Sequence, residues 1–248
     1  QLLGNQAREP KREGTETGSP EKPGVAQPAK PSGKPGLEAL RPPQLSATPP
    51  TAPLLTADLK VNLQEFKLEN GLKVVVIPNH EVPFVTYKLG LLAGAYTEPP
   101  DAPGTAAMAA RMLTRGTTAH SYQELAEILN TYAINLSGYA GMDTASVDAS
   151  AVTDEAERAM QYLAEVVLTP TFPQAQFNIL LNQLRTMKAV QEFSPSYQAA
   201  RELRQRLFGN HPYGRNADGE LADLPKITAA GMKQWWNTYT RPDLSVLY

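Results

Sequence analysis

Apolar and polar positions divide the chain at about residue 60. Beyond it, residues 63–69 and 72–77 are rich in strand-forming side chains and flank Asn70-Gly71. That dipeptide suits a tight turn, so the two runs predict a β-hairpin. Residues 82–93 predict a third strand, with Gly90 and Gly94 toward its end. Residues 104–114 and 121–131 carry a helical pattern, the second entered through Ser121 with Glu124 three places on, the pairing of a capping box. Residues 134–140 and 144–151 predict another strand pair around Gly141-Met142-Asp143; in the second, Ser146, Asp148 and Ser150 alternate with Ala145, Val147 and Ala149, as in a half-buried strand. The next helix has Thr153 as its expected N-cap, Asp154 and Glu155 in its first turn, and Ala156, Met160, Leu163 and Val167 on one face. Helical patterns continue over 174–192, 196–208 and 228–240, and residues 244–248 begin a strand. Strands in pairs with helices between them predict an α+β fold, one mixed and mostly antiparallel sheet backed by helices. The chain stops inside its last strand, so the natural protein is expected to continue.

Composition explains the division. Residues 1–60 hold 11 of the 22 prolines, six glycines and no aromatic residue. Such a stretch offers too little apolar area to offset the entropy of ordering it, so residues 1–56 are expected to be a disordered Pro-rich tail or interdomain linker, and residues 57–248 the globular part. The first 60 residues carry a net charge of +2 and the remainder −4, so neither part is a strongly charged surface. A flexible spacer of this length spans on the order of 40 Å, enough to join two domains. Recognition of the Pro-rich stretch by a partner is the alternative.

Several classes of chemistry are excluded early. With no Cys there is no disulfide framework, thiolate nucleophile or Cys-ligated metal. Without a basic run there is no dedicated nucleic-acid surface, and no apolar stretch approaches the roughly 20 residues of a membrane span. The chain begins at Gln1 without a leader segment and is expected to be a fragment or processed form, so its compartment is not readable. Ser137, Ser146 and Ser150 lack the context of a serine nucleophile, and no Gly-rich loop carries a phosphate-binding ending. Of Trp235-Trp236, one is expected in the core and one at the surface.

Five motifs carry a resemblance. Leu91-Leu-Ala-Gly-Ala-Tyr-Thr-Glu98 and Gly104-Thr-Ala-Ala-Met-Ala-Ala-Arg-Met-Leu-Thr-Arg-Gly-Thr117 resemble the insulinase/pitrilysin-type zinc peptidases and the mitochondrial processing peptidases. Asn70-Gly71-Leu72, His211-Pro-Tyr-Gly214 and Tyr239-Thr-Arg-Pro242 fit the same family, in the same order, across about residues 62–248. The resemblance implies the first α+β domain of a half-molecule, two such halves closing around an extended peptide, which adds a strand at a sheet edge, an edge expected here at the strand of Ser146, Asp148 and Ser150.

Catalysis in that family rests on H-x-x-E-H on a helix, in which two His bind zinc and the Glu acts as general base, with a further Glu downstream as third ligand. At the matching positions this chain has Ala107, Ala110 and Arg111, and the downstream place falls at Arg185 to Lys188, again without a carboxylate. Glu192 lies near enough that a small misalignment would bring it in. His80, His120 and His211 are not spaced as helical ligands; they read as residues of a turn, a helix approach and a Pro-containing loop. Arg111 has two readings: it pairs with a carboxylate such as Glu98 or lies exposed, or it holds a peptide carbonyl or acidic side chain in a former active-site cleft.

The resulting expectation is a catalytically inactive peptidase-like domain, with no metal or other cofactor of its own, that partners an active half or subunit and helps form the peptide chamber. Zinc is expected only in that partner. The alternatives are a structural assembly subunit without a proteolytic role and an active zinc metalloendopeptidase with non-standard ligands. The resemblance places family members of this kind in the bacterial periplasm or cell envelope, by analogy alone.

Overall fold

A hairpin of two four-residue strands opens the structure, a computed structural model that describes residues 62–248. The tail expected over residues 1–56, like residues 57–61, lies outside the described residues. In the hairpin, β1 (Gln64–Lys67) pairs antiparallel with β2 (Lys73–Val76), Gln64 opposite Val76 and Lys67 opposite Lys73. Gly71 takes the left-handed conformation the turn requires, with φ +93°, and the Asn70 side chain accepts the Leu72 N–H at 3.0 Å. All four residues of β1 are exposed, so its imperfect alternation reflects an edge with no face to bury.

β3 (Phe84–Leu91) follows, then α1 (Thr105–Met112), α2 (Tyr122–Thr131), β4 (Asn135–Ala140) and β5 (Ala145–Val152). Next come α3 (Ala156–Leu168), α4 (Gln174–Gln191), α5 (Pro195–Phe208) and α6 (Ala229–Tyr239), and β6 (Ser245–Leu247) returns to the sheet. The strand order is β1-β2-β6-β3-β5-β4; β2 and β6 run parallel and every other neighbouring pair antiparallel, the mixed sheet expected. Leu89, Leu91, Leu136, Val147 and Ala149 turn to one face and meet α1, α3 and α6 in a single core. Ser121 and Glu124 form the expected capping box at the start of α2.

Three local expectations give way. Thr153 is not the N-cap of α3: Thr153–Glu155 make a 3₁₀ turn and the helix begins at Ala156. The Thr153 N–H is still tied to the sheet, donating to the Pro83 carbonyl at 3.2 Å, so the helix starts only once the chain leaves β3. Its buried face is accordingly Ala159, Leu163, Val166 and Val167, with Ala156 and Met160 half-buried. The strand carrying Ser146, Asp148 and Ser150 is β5, paired on both sides; among the described residues the edge on this side belongs to β4. Finally, both tryptophans are buried, because α6 lies between the segment after β3 and α3. Trp235 Nε1 donates to Thr97 Oγ1 at 3.0 Å and Trp236 Nε1 to the Val167 carbonyl at 2.9 Å.

Candidate functional site

Helix α1 is buried on nearly every side. Six of its eight residues are Ala or Met, and short side chains let it sit tightly between α6 and β4. Gly138 of β4 passes beneath it: a methyl group there would come within 2.3 Å of the Ala110 carbonyl oxygen. Ala107 and Ala110 are 3% and 1% exposed and present only methyl groups to their neighbours. Arg111 is the residue of α1 that is not fully buried.

Glu98 and Arg111 do not meet. The Glu98 carboxylate turns to the start of α1, accepting the Gly104 N–H at 2.9 Å and the Ala106 N–H at 2.7 Å, and so caps a helix whose own N-cap, Gly104, has no side chain to offer. Burial pushes its pKa up to about 7, against the opposing effect of those two N–H groups and of Arg215, 4.0 Å away. Arg111 instead donates to Asp218 Oδ2 at 3.1 Å, across 107 residues of sequence. Glu98, fully enclosed, is therefore a structural cap, while Arg111 keeps about a third of its side chain in solvent.

Of the four residues Arg185 to Lys188, only Lys188 turns inward. Its ammonium donates to the Gly219 carbonyl at 2.6 Å. Burial draws its pKa below the ordinary lysine value, and Asp218 and Glu220 oppose that shift more than Arg111 adds to it. Glu192 points elsewhere, its carboxylate held by Arg201 at 2.8 and 3.0 Å and by Gln198 at 2.8 Å. The histidines are dispersed as well: His80 is exposed, His120 Nδ1 lies 2.8 Å from Glu165, and His211 Nδ1 accepts the Tyr213 N–H at 3.2 Å.

These residues do not fit a zinc ion. Two of the motif positions have no donor atom, and the remaining one, together with the inward residue of α4, is a cation. Among the described residues, no three His, Cys, Asp or Glu side chains gather where they would hold a metal. What the geometry brings together is Arg111 from α1, Lys188 from α4, and Asp218 and Gly219 from the loop before α6. The last two were not anticipated from the sequence. A signal was present for Lys188, because Phe177, Leu180, Leu184 and Lys188 recur on one helical face, putting a lysine in line with three core residues.

No element among the described residues covers the side of the sheet facing away from α1. Lys88, Gly90, Tyr139, Ser146 and Tyr248 border a trough of about 840 Å³ there, and Lys88 bridges to Asp148 at 3.1 Å. Tyr139 belongs to β4, the edge strand among the described residues, and is well exposed. No helix among the described residues is long and apolar enough to cross a membrane.

Comparison with known proteins assigns the family. Residues 73–218 match the model of the insulinase family, Peptidase family M16. A Bacillus subtilis protein described as the uncharacterized zinc protease YmxG is 21% identical over 185 residues, covering 75% of this chain and 45% of its own length. Helicobacter pylori has a relative described as a non-peptidase homolog, 26% identical over 167 residues, covering 66% of this chain and 39% of itself. Among solved structures, the inactive domain of a peptidase M16 from Pseudomonas fluorescens superimposes with a TM-score of 0.71 at 28% identity, over 75% of this chain and 45% of that one. The first half of the periplasmic protease PqqL from Escherichia coli shares the fold, with a TM-score of 0.67 at 18% identity, over 75% of this chain and 41% of its own. The chain thus spans less than half the length of the relatives it matches. With the family model covering most of the folded region and the sheet, helices and motif helix in the family's arrangement, the chain belongs to the insulinase family, as a peptidase-like domain whose relatives include inactive and non-peptidase members.

Proposed function

We propose that this domain is catalytically silent and serves an active insulinase-type partner, on the same chain or as a separate subunit, by completing the chamber that holds an extended peptide. The observation that carries the reading is the character of α1: where the family places two metal ligands and a general base, this helix has two buried methyl groups and an arginine bound to Asp218. No side chain there is suited to take a proton from an attacking water or to hold the ion that would activate it. Two further features support the chamber role. Among the described residues β4 has no partner on its outer side, the arrangement that strand addition by a peptide requires, and no described element covers the adjoining sheet face.

The test is metal content and turnover. The purified chain, incubated with zinc and dialysed, is expected to retain less than about a tenth of an equivalent and to leave a quenched-fluorescence peptide library uncut, with an active family member as control. One tightly held equivalent, lost when Glu192 or a histidine is changed to Ala, overturns the reading and makes the chain an enzyme with an unfamiliar site.

A further inference from the structure

Lys188 stands out because an enclosed ammonium is expensive unless it is matched by anions or strong acceptors. The residue is 1% exposed and sits in line with Phe177, Leu180 and Leu184 on the inward face of α4. Its Nζ reaches the Gly219 carbonyl, and Asp218, Glu220 and, more weakly, Asp223 are the carboxylates whose charge acts on it. Asp218 is in turn bound by Arg111, so two cations from separate helices converge on one short loop.

That loop is clasped against α1 without slack. Gly219 has φ +67°, and a methyl group on it would lie 2.6 Å from the Pro103 carbonyl oxygen. Gly104, φ +91°, is under the reciprocal constraint, its missing methyl 2.8 Å from the Asp218 carbonyl oxygen. The loop is thus held to the start of α1 by these backbone approaches and to the end of α1 by Arg111, while the Lys188 ammonium ties it to the end of α4. Tying together segments distant in sequence is a task that a structural metal ion performs in other proteins. Here the donor set excludes the metal, and a side chain brings the charge.

We propose that Lys188 stands in for a metal ion as the internal cation that fastens α4 to the 216–220 loop, and through that loop to α1, and so makes this junction independent of zinc. The inference deepens the silent-domain reading and rests on it. It accounts for how a domain without metal ligands keeps the junction closed: the ammonium needs no loading, cannot be chelated, and offers no open position to a substrate.

Native-state labelling tests it on the unmodified chain. Under amine-specific acetylation followed by mass spectrometry, Lys188 is expected to react at least tenfold more slowly than the half-exposed Lys73 and Lys226. Labelling at the rate of those surface lysines overturns the proposal. In parallel, Lys188→Met is expected to lower Tm by roughly 3 to 12 °C, as loss of an enclosed charge-assisted hydrogen bond does in a domain of this size, and to open the bond after Arg215 to trypsin. An unchanged Tm and an unchanged digestion pattern overturn it equally. The wild-type Tm is expected to shift by less than about 1 °C with chelator or with added zinc. A zinc-dependent rise in Tm overturns the silent-domain reading, whereas an accessible and dispensable Lys188 overturns this inference alone.

Discussion

Gly138 and Ala110 mark the tightest approach in the functional region: a methyl group at Gly138 would lie 2.3 Å from the Ala110 carbonyl oxygen and 2.9 Å from its carbonyl carbon. No Cβ survives at such a distance from backbone atoms, so β4 and α1 touch only because position 138 has no side chain. Gly138→Ala is therefore expected to push the edge strand off the helix, with a stability cost on the order of 3 kcal/mol, as overpacking of a closed interface produces. Urea unfolding of the two proteins checks this; a midpoint change too small to resolve would mean that the strand shifts freely.

This contact also shows how much the sequence made legible. The hairpin at Asn70-Gly71, the capping box at Ser121 and the α+β order were readable because each depends on residues close in sequence: a dipeptide that tolerates φ > 0, two polar side chains three apart, a run of period two or 3.6. The absence of motif ligands at Ala107, Ala110 and Arg111 was readable for the same reason. Partners across long loops were not. Nothing local tells Arg111 to choose Asp218 over Glu98, since that choice depends on where the loop before α6 docks. Strand order was equally hidden: β5 reads as half-buried whether it lies at an edge or inside, and only its pairing with both β3 and β4 places it inside.

Glu98 gives the domain a dependence on pH with a sign opposite to that of an ordinary surface carboxylate. Its pKa rises from 4.5 to about 7 on folding because burial disfavours the charge more strongly than the Gly104 and Ala106 N–H groups and Arg215 favour it. The folded state thus binds the proton more tightly than the unfolded one. The associated stability is fully present below about pH 4.5 and is lost as pH rises toward 7, at up to about 1.4 kcal/mol per unit. Glu98→Gln, which cannot titrate, is expected to remove this component, so that the stability gap between variant and wild type narrows from pH 5 to pH 7. Denaturant titrations at the two pH values measure it; a gap independent of pH would show that Glu98 stays ionised throughout.

At the start of α2 the two halves of the capping box are separable. The Ser121 hydroxyl accepts the Glu124 N–H at 3.4 Å, and the Glu124 carboxylate accepts the Ser121 N–H at 2.8 Å, which holds that carboxyl below its usual pKa. Ser121→Ala removes one half and leaves the other, so its expected effect is a fall in Tm of roughly 2 to 4 °C. Because the depressed pKa belongs to an acid, the Glu124 contribution is present above the unfolded-state pKa and is lost as pH falls. The Glu124→Ala effect should therefore shrink in acid, and that of Ser121→Ala should shrink less, because the Ser121 hydroxyl bonds the Glu124 N–H as well as its carboxylate; melting curves at neutral and acid pH distinguish the two.

Arg111 separates a role in stability from a role in binding. Its bond to Asp218 joins two side chains that are each about a third exposed, and solvent screens such a pair, so Arg111→Ala is expected to cost no more than about 1 kcal/mol. That places it well apart from Lys188, which is enclosed and whose charge has no water to fall back on. With one nitrogen engaged by Asp218, the guanidinium retains donors for an incoming peptide beside β4, and a backbone carbonyl or acidic side chain is the group it suits. In a fluorescence anisotropy titration with a labelled acidic peptide, in the presence of the active partner half, Arg111→Ala is expected to weaken binding about tenfold while Tm stays within a few degrees of wild type. Arg111→Lys keeps the charge but loses the fork of donors and is expected to recover only part of the affinity. Equal affinities for all three proteins would confine Arg111 to its ion pair with Asp218 and leave peptide contact to the β4 edge alone.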